Sequence, residues 1–152
     1  MFLKRLRNRM KGPLELAFWR LTEPRAESAK LLIQYENRFL LITKTYGIKY
    51  WTLPGGRKKR NETPEETAWR RVRRDLTVAP AELVSIGNYF HTRQYKKDVV
   101  CAFHAQVNSP EYKIDTKNVD KAGWFTLEEI KSLNRSESVD DVLDLYSKHQ
   151  NI

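Results

Sequence analysis

A single cysteine, Cys101, stands among the 152 residues, so no intramolecular disulfide can staple this fold. It lies in the apolar run Val99-Val100-Cys101-Ala102-Phe103 and reads as a small buried thiol. Only three histidines accompany it, none clustered at metal-ligand spacing, which leaves no case for a structural zinc. No stretch approaches the roughly 18 apolar residues that a membrane-spanning helix needs. Internal repeats, linkers and low-complexity tracts are missing as well, and the length suits one domain with its own core. Negative charge is the scarcer sign: 19 Asp and Glu face 28 Lys and Arg, a formal net charge of +9. A basic balance favours phosphate-rich partners such as nucleotides, nucleic acid or anionic membrane surfaces. The composition as a whole suits a reducing cytoplasm.

What is present divides at about residue 24. Residues 1–24 form an N-terminal basic segment. Its first part carries Leu3, Leu6 and Met10 on one side, with five basic residues between Met1 and Lys11. It lacks the apolar core of a secretory signal, and its pattern suits a short basic amphipathic helix that touches a membrane or nucleic acid, or a segment that packs on its own domain or frays. Leu14 to Leu21 reads as a strand or a turn of helix. From residue 25 to 152 the pattern is that of one mixed α/β domain. Two apolar runs, Lys30 to Tyr35 and Arg38 to Lys44, flank Glu36-Asn37 and predict a hairpin. Trp51-Thr52-Leu53 reads as a short extended piece stopped by Pro54-Gly55-Gly56.

The clearest element begins at Thr63-Pro64-Glu65-Glu66. Thr63 can cap, Pro64 fits the first turn and Glu66 completes a capping box. The helix is expected to run to about Leu76, with Ala68, Val72 and Leu76 on its inward face. Strands are expected at Val84 to Tyr89 and Tyr95 to Val107, and a third ending at Trp124-Phe125. Thr126-Leu127-Glu128-Glu129 is a second capping box, for a helix of about two turns. Asp140 to Ser147 reads as a final amphipathic helix.

Gly55-Gly56, a basic loop, Glu62 and a helix containing Arg70 together resemble the Nudix box. From Gly56, five residues lead to Glu62 and seven more to Arg70, without a gap. Trp51-Thr52-Leu53-Pro54 and Ala122 to Ile130 are similar to the flanks of that family. The resemblance covers roughly residues 28 to 135. It implies an α/β/α sandwich with a mixed β-sheet, and hydrolysis of nucleoside diphosphate-linked compounds with Mg or Mn. It also implies roles for matching residues: a supporting carboxylate at Glu62, a metal-binding or catalytic one at Asp75, and structural work for Arg70. Gly55 and Gly56 would allow the tight loop into the helix, where a family carbonyl can also reach the metal.

The departures fall on the chemistry. Positions 71, 74 and 75, which share one helix face, carry family carboxylates that hold the metal; here they are Arg71, Arg74 and Asp75. A unit positive charge about 5 Å from a divalent ion, at an effective dielectric of about 20, repels it by on the order of 6 kcal/mol. Asn118 and Lys121 likewise stand where relatives often place glutamates. The expectation is a degenerate metal site with impaired or absent hydrolysis. The alternative is a non-catalytic, metal-independent binder of nucleotides, RNA or a protein partner. Arginine grips phosphate through a rigid fork, so Arg71 and Arg74, with Arg57 and Lys58 nearby, are candidate phosphate-binding residues. They are equally placed to pair with Glu62, Glu65, Glu66 or Asp75. Tyr89, His91 and Tyr95 fall near a strand end that would line the cleft. Trp51 and Trp124 read as packing residues, and His104 as a satisfied core or edge histidine.

Overall fold

Strand β1 (Glu27–Tyr35) and strand β2 (Arg38–Lys44) form the expected hairpin around Glu36-Asn37, with Tyr35 opposite Arg38. The computed structural model describes residues 26–93 and 96–151, and at 92, 93, 96 and 97 the backbone alone. The N-terminal basic segment, the reading of Leu14 to Leu21, and Tyr95 therefore lie outside the described residues. The sheet continues through β3 (Gly55–Arg57), β4 (Val84–Arg93), β5 (Lys96–Gln106) and β6 (Val119–Thr126). Its order is β4-β5-β1-β2-β6, with β3 paired to β1. The β1–β5 pair is parallel and the remaining pairs are antiparallel, so the sheet is mixed.

Side chains alternate across these strands, and each face buries its own set. Ala29, Leu31, Ile33, Leu40 and Ile42 meet Ala68, Val72 and Leu76 of α1 (Pro64–Asp75). Leu32, Phe39 and Leu41 meet Ile130 of α2 (Leu127–Lys131) and Val139 and Val142 of α3 (Glu137–Gln150). Complete burial of a residue such as Val72 is worth about 1.5–3 kcal/mol, which fixes α1 on the sheet whatever its polar face carries. The result is the α/β/α sandwich. Both capping boxes form: the Glu66 amide donates to Thr63 Oγ1 at 3.1 Å, and the Thr63 amide to the Glu66 carboxylate at 3.0 Å. Thr126 and Glu129 repeat the arrangement.

Three expectations need correction. The glycine stop after Trp51-Thr52-Leu53, an extended piece that bridges from Thr52 to Ile42 and from Trp51 to Arg135, is not a loop but a short strand. The strand lies just beyond, at Gly55–Arg57, because Gly55 has φ +154 and its Cα faces the Ala29 carbonyl so closely that any Cβ would collide with it. The last helix begins three residues before Asp140, since the Ser136 hydroxyl turns to Thr52 Oγ1 at 2.9 Å instead of capping, so no cap marks the start. Cys101 is only partly buried, packed beside the α1-side core. Among the described residues, no helix is long and apolar enough to cross a membrane.

Candidate functional site

Against the C-terminal half of α1, one guanidinium fills the space between two acceptors. Arg71 Nε donates to the Gly55 carbonyl at 3.0 Å, and its Nη2 lies 3.2 Å from Asp75 Oδ2. Asp75 Oδ1 takes Arg74 Nε at 3.1 Å, so both oxygens of this 2 % exposed carboxylate are engaged by arginine. A Cβ on Gly56 would stand 2.7 Å from Arg71 Nε, so the glycine pair makes room for the guanidinium as well as for the strand. Burial draws the Arg71 guanidinium below its ordinary range and Asp75 opposes that, leaving it a cation. Arg74 is far more open, its side chain 45 % exposed.

Glu62 is the centre of a second, separate knot. Its carboxylate accepts Arg70 Nη2 at 2.6 Å and Nε at 3.1 Å, the Lys59 amide at 2.8 Å and the Thr67 hydroxyl at 2.8 Å. These donors, Arg70 first, lower its carboxyl to about 2. Arg70 also reaches the Arg57 carbonyl at 3.1 Å and so ties the basic loop to the helix. The side chains of Arg57 and Lys58 line a small hollow of about 260 Å3 with Ala26, Glu27, Lys59 and Arg60. Arg71 and Arg74 are not among the residues that line this hollow.

The larger cleft beside the site, about 670 Å3, opens on the α3 side of the sheet. Its floor is Lys30 and Ser28 of β1, Val100 and Asp98 of β5, and Tyr89 and His91 of β4. The first turn of α3 and the 46–50 loop form its walls. Tyr89 and His91 therefore line it, and burial pushes the Tyr89 phenol up. Lys30 and Lys44 were not singled out from sequence, though Lys30 alternates with the buried Leu32 on an inward strand face. A lysine at a core-facing position was the available signal. Trp51 meets Phe125 edge-on at 4.9 Å, and Trp124 donates to the Pro110 carbonyl at 2.8 Å, so both are packing residues. His104 Nε2 lies 2.8 Å from Gln34 Oε1.

The donor set around Arg71 does not fit a divalent cation. Asp75 supplies one carboxylate with both oxygens already paired to cations, and the Gly55 carbonyl is taken by Arg71. Among the described residues no three His, Cys, Asp or Glu side chains come together in a manner that holds a metal ion.

A mixed sheet sandwiched by helices, entered through two glycines into a capped basic helix, defines a class. The family model of the NUDIX domain matches residues 24–146, and the chain belongs to that family. Comparison with curated proteins yields no match. Among solved structures, the NUDIX domain of Shewanella oneidensis NrtR complexed with ADP ribose matches with TM-score 0.75 at 14% identity, over 93% of this chain and 99% of that one. The Burkholderia pseudomallei MutT NUDIX hydrolase matches with TM-score 0.72 at 20% identity, over 81% and 98% respectively. A C. elegans Ap4A hydrolase gives 0.69 at 19%, over 83% and 98%. At such identities these likenesses establish the fold alone.

Proposed function

We propose that this Nudix-fold protein binds a phosphate-bearing small molecule without a divalent cation, and that hydrolysis is absent. The observation that supports this reading is the Arg71 guanidinium lodged between the Gly55 carbonyl and the Asp75 carboxylate. Oxygen acceptors that suit a metal in the family instead hold a cation belonging to the chain itself. Magnesium is ordinarily held by one or two carboxylates plus substrate phosphate oxygens. With Asp75 neutralised on both oxygens, no free carboxylate remains there to recruit it. Glu62, committed to four donors, is read as a structural tie rather than a base. Arg71 keeps its charge inside the site and Arg74, 45 % exposed, presents its own toward solvent, which favours an anionic ligand.

The test is binding and turnover measured side by side. ADP-ribose, inorganic pyrophosphate and a dinucleoside tetraphosphate are titrated by calorimetry in chelator, and phosphate release is followed with magnesium or manganese. Binding in chelator without turnover in metal supports the reading. Metal-dependent turnover by the unaltered chain overturns it.

A further inference from the structure

The 670 Å3 cleft holds two ammonium groups that the family-type box does not account for. Lys30 Nζ has one protein acceptor, the Leu53 carbonyl at a long 3.5 Å. Lys44 Nζ stands 5.7 Å from the centre of the Tyr46 ring. Among the described residues neither ammonium is within ion-pair distance of a carboxylate. The charged groups that act most on Lys30 are Lys44 and Arg71, both positive, and with burial they bring its ammonium down to about 7. Lys30 and Lys44 thus line the cleft together, with Arg71 acting on Lys30 from outside its lining, and of the three only Arg71 has a counter-ion. A partly buried cation cluster of this kind is costly unless something anionic joins it.

The opposite end carries the other sign. Asp98 lies there, across the ladder from His91, while Glu137 is a wall residue in the first turn of α3, next to Ser136, which bonds Thr52. Lys30 is level with Ala102 on β5, four residues from Asp98, which places the two ends about 13 Å apart along the strands. Asp98 is not among the charges that act on Lys30. A polyanion laid through the cleft would meet repulsion at the Asp98 end. A small ligand with its anionic group at one end would not.

On these grounds we propose that Lys30 and Lys44 are the phosphate-holding residues of the cleft, and that they select a small phosphate ester carrying its negative charge at one end over a nucleic acid. This rests on the metal-free reading above and adds phosphate contacts on the sheet face, whereas Arg57 and Lys58 line another hollow. The tyrosines 46 and 50 at the rim supply flat apolar surface for the remainder of the ester. Tyr46 is 58 % exposed and has the Lys44 ammonium 5.7 Å from its ring centre, so the ring and the charge are presented together.

Calorimetric titration with inorganic pyrophosphate and adenosine monophosphate in chelator tests this, with a single-stranded RNA oligomer in parallel. Lys30→Met and Lys44→Met should each weaken binding of both small anions about tenfold or more, the loss expected when a charge-assisted contact goes. Lys30→Arg, which keeps the charge, should retain most of it. Arg57→Ala with Lys58→Ala should leave both affinities unchanged, and the RNA should bind more weakly than adenosine monophosphate. Unaltered affinity in Lys30→Met and Lys44→Met overturns the assignment while leaving metal-free binding intact. So does loss confined to the Arg57, Lys58 variant. Failure of the unaltered chain to bind either anion in chelator overturns the metal-free reading itself. Thermal midpoints of all variants establish that a lost affinity is not a lost fold.

Discussion

The Arg71 guanidinium and the Asp75 carboxylate, one helical turn apart on α1, face each other at 3.2 Å across a site that buries Asp75 to 2 % exposure. An isolated pair on a helix surface is worth a few tenths of a kcal/mol, but here the carboxylate has almost no water to fall back on. Removing one partner alone leaves the other buried and under-compensated. Arg71→Ala is therefore expected to lower unfolding free energy by about 2–3 kcal/mol, with Arg74 restraining the loss. Asp75→Asn should cost a similar amount. The double variant should lose clearly less than the sum, and denaturant unfolding of the four proteins measures that coupling. Strict additivity would mean the pair is a bystander.

The same geometry predicts a gain. Exchanging Arg71 and Arg74 for glutamate places carboxylates at both positions on the face that carries Asp75, and frees the Gly55 carbonyl. Arg71→Glu with Arg74→Glu should bind manganese, read by the loss of free-ion signal in electron paramagnetic resonance. The unaltered chain should leave that signal unchanged at equal concentration. Asp75-dependent manganese binding by the unaltered chain would show that the guanidinium yields its place to metal.

Thr77 follows α1 with φ +52, a left-handed conformation that a β-branched residue adopts at a cost. Leu76 and Asp75 carbonyls are held there by the amides of Lys113 and Asp115, at 3.0 and 2.9 Å, so the helix end is fixed from outside and Thr77 must conform. Glycine adopts this conformation freely. Thr77→Gly should raise unfolding free energy by about 1 kcal/mol, visible as a higher denaturant midpoint at unchanged slope. An unchanged or lower midpoint would mean that the Thr77 side chain contributes contacts that outweigh its strain.

These relationships were legible in the sequence to different degrees. The hairpin, both capping boxes and the Ala68–Val72–Leu76 face follow from local chemistry and periodicity, which act over one or two turns. The box spacing placed Arg71, Arg74 and Asp75 on one helix face. It left open whether the arginines serve a ligand or pair with their neighbours, because a guanidinium's direction is set by what lies across the gap. Here that is the Gly55 carbonyl, brought in by a strand the sequence reading treated as a loop. Lys30 gives no local signal of a site, because the run Lys30-Leu31-Leu32-Ile33 reads as a strand with a polar first residue. Its significance depends on Lys44, seven residues beyond the hairpin turn, and on Arg71 from another element. Ser136 is the N-cap of α3 but forms no capping box, and its hydroxyl bonds Thr52, a partner 84 residues away that no local pattern reveals.

Lys30 also makes stability depend on pH in a definite direction. Its ordinary value is 10.5, and burial, then Lys44 and Arg71, bring it to about 7 in the folded chain. Between those two values the unfolded chain holds a proton that the folded chain has released. Unfolding free energy therefore rises with pH across that window. Below about 7 both states carry the proton and the folded state bears the whole penalty of an ammonium among cations. Above about 10.5 neither carries it and the penalty is gone. Lys30→Met removes the group that titrates, so the variant should be more stable than the unaltered chain at pH 7, by on the order of 2 kcal/mol after allowance for solvent screening. It should gain less on going to pH about 9.5, since the other titrating groups are common to both proteins. Urea midpoints of the two chains at the two pH values decide the matter. Parallel pH slopes would place the Lys30 ammonium in water rather than against the sheet, and would remove the electrostatic support for an anion site there.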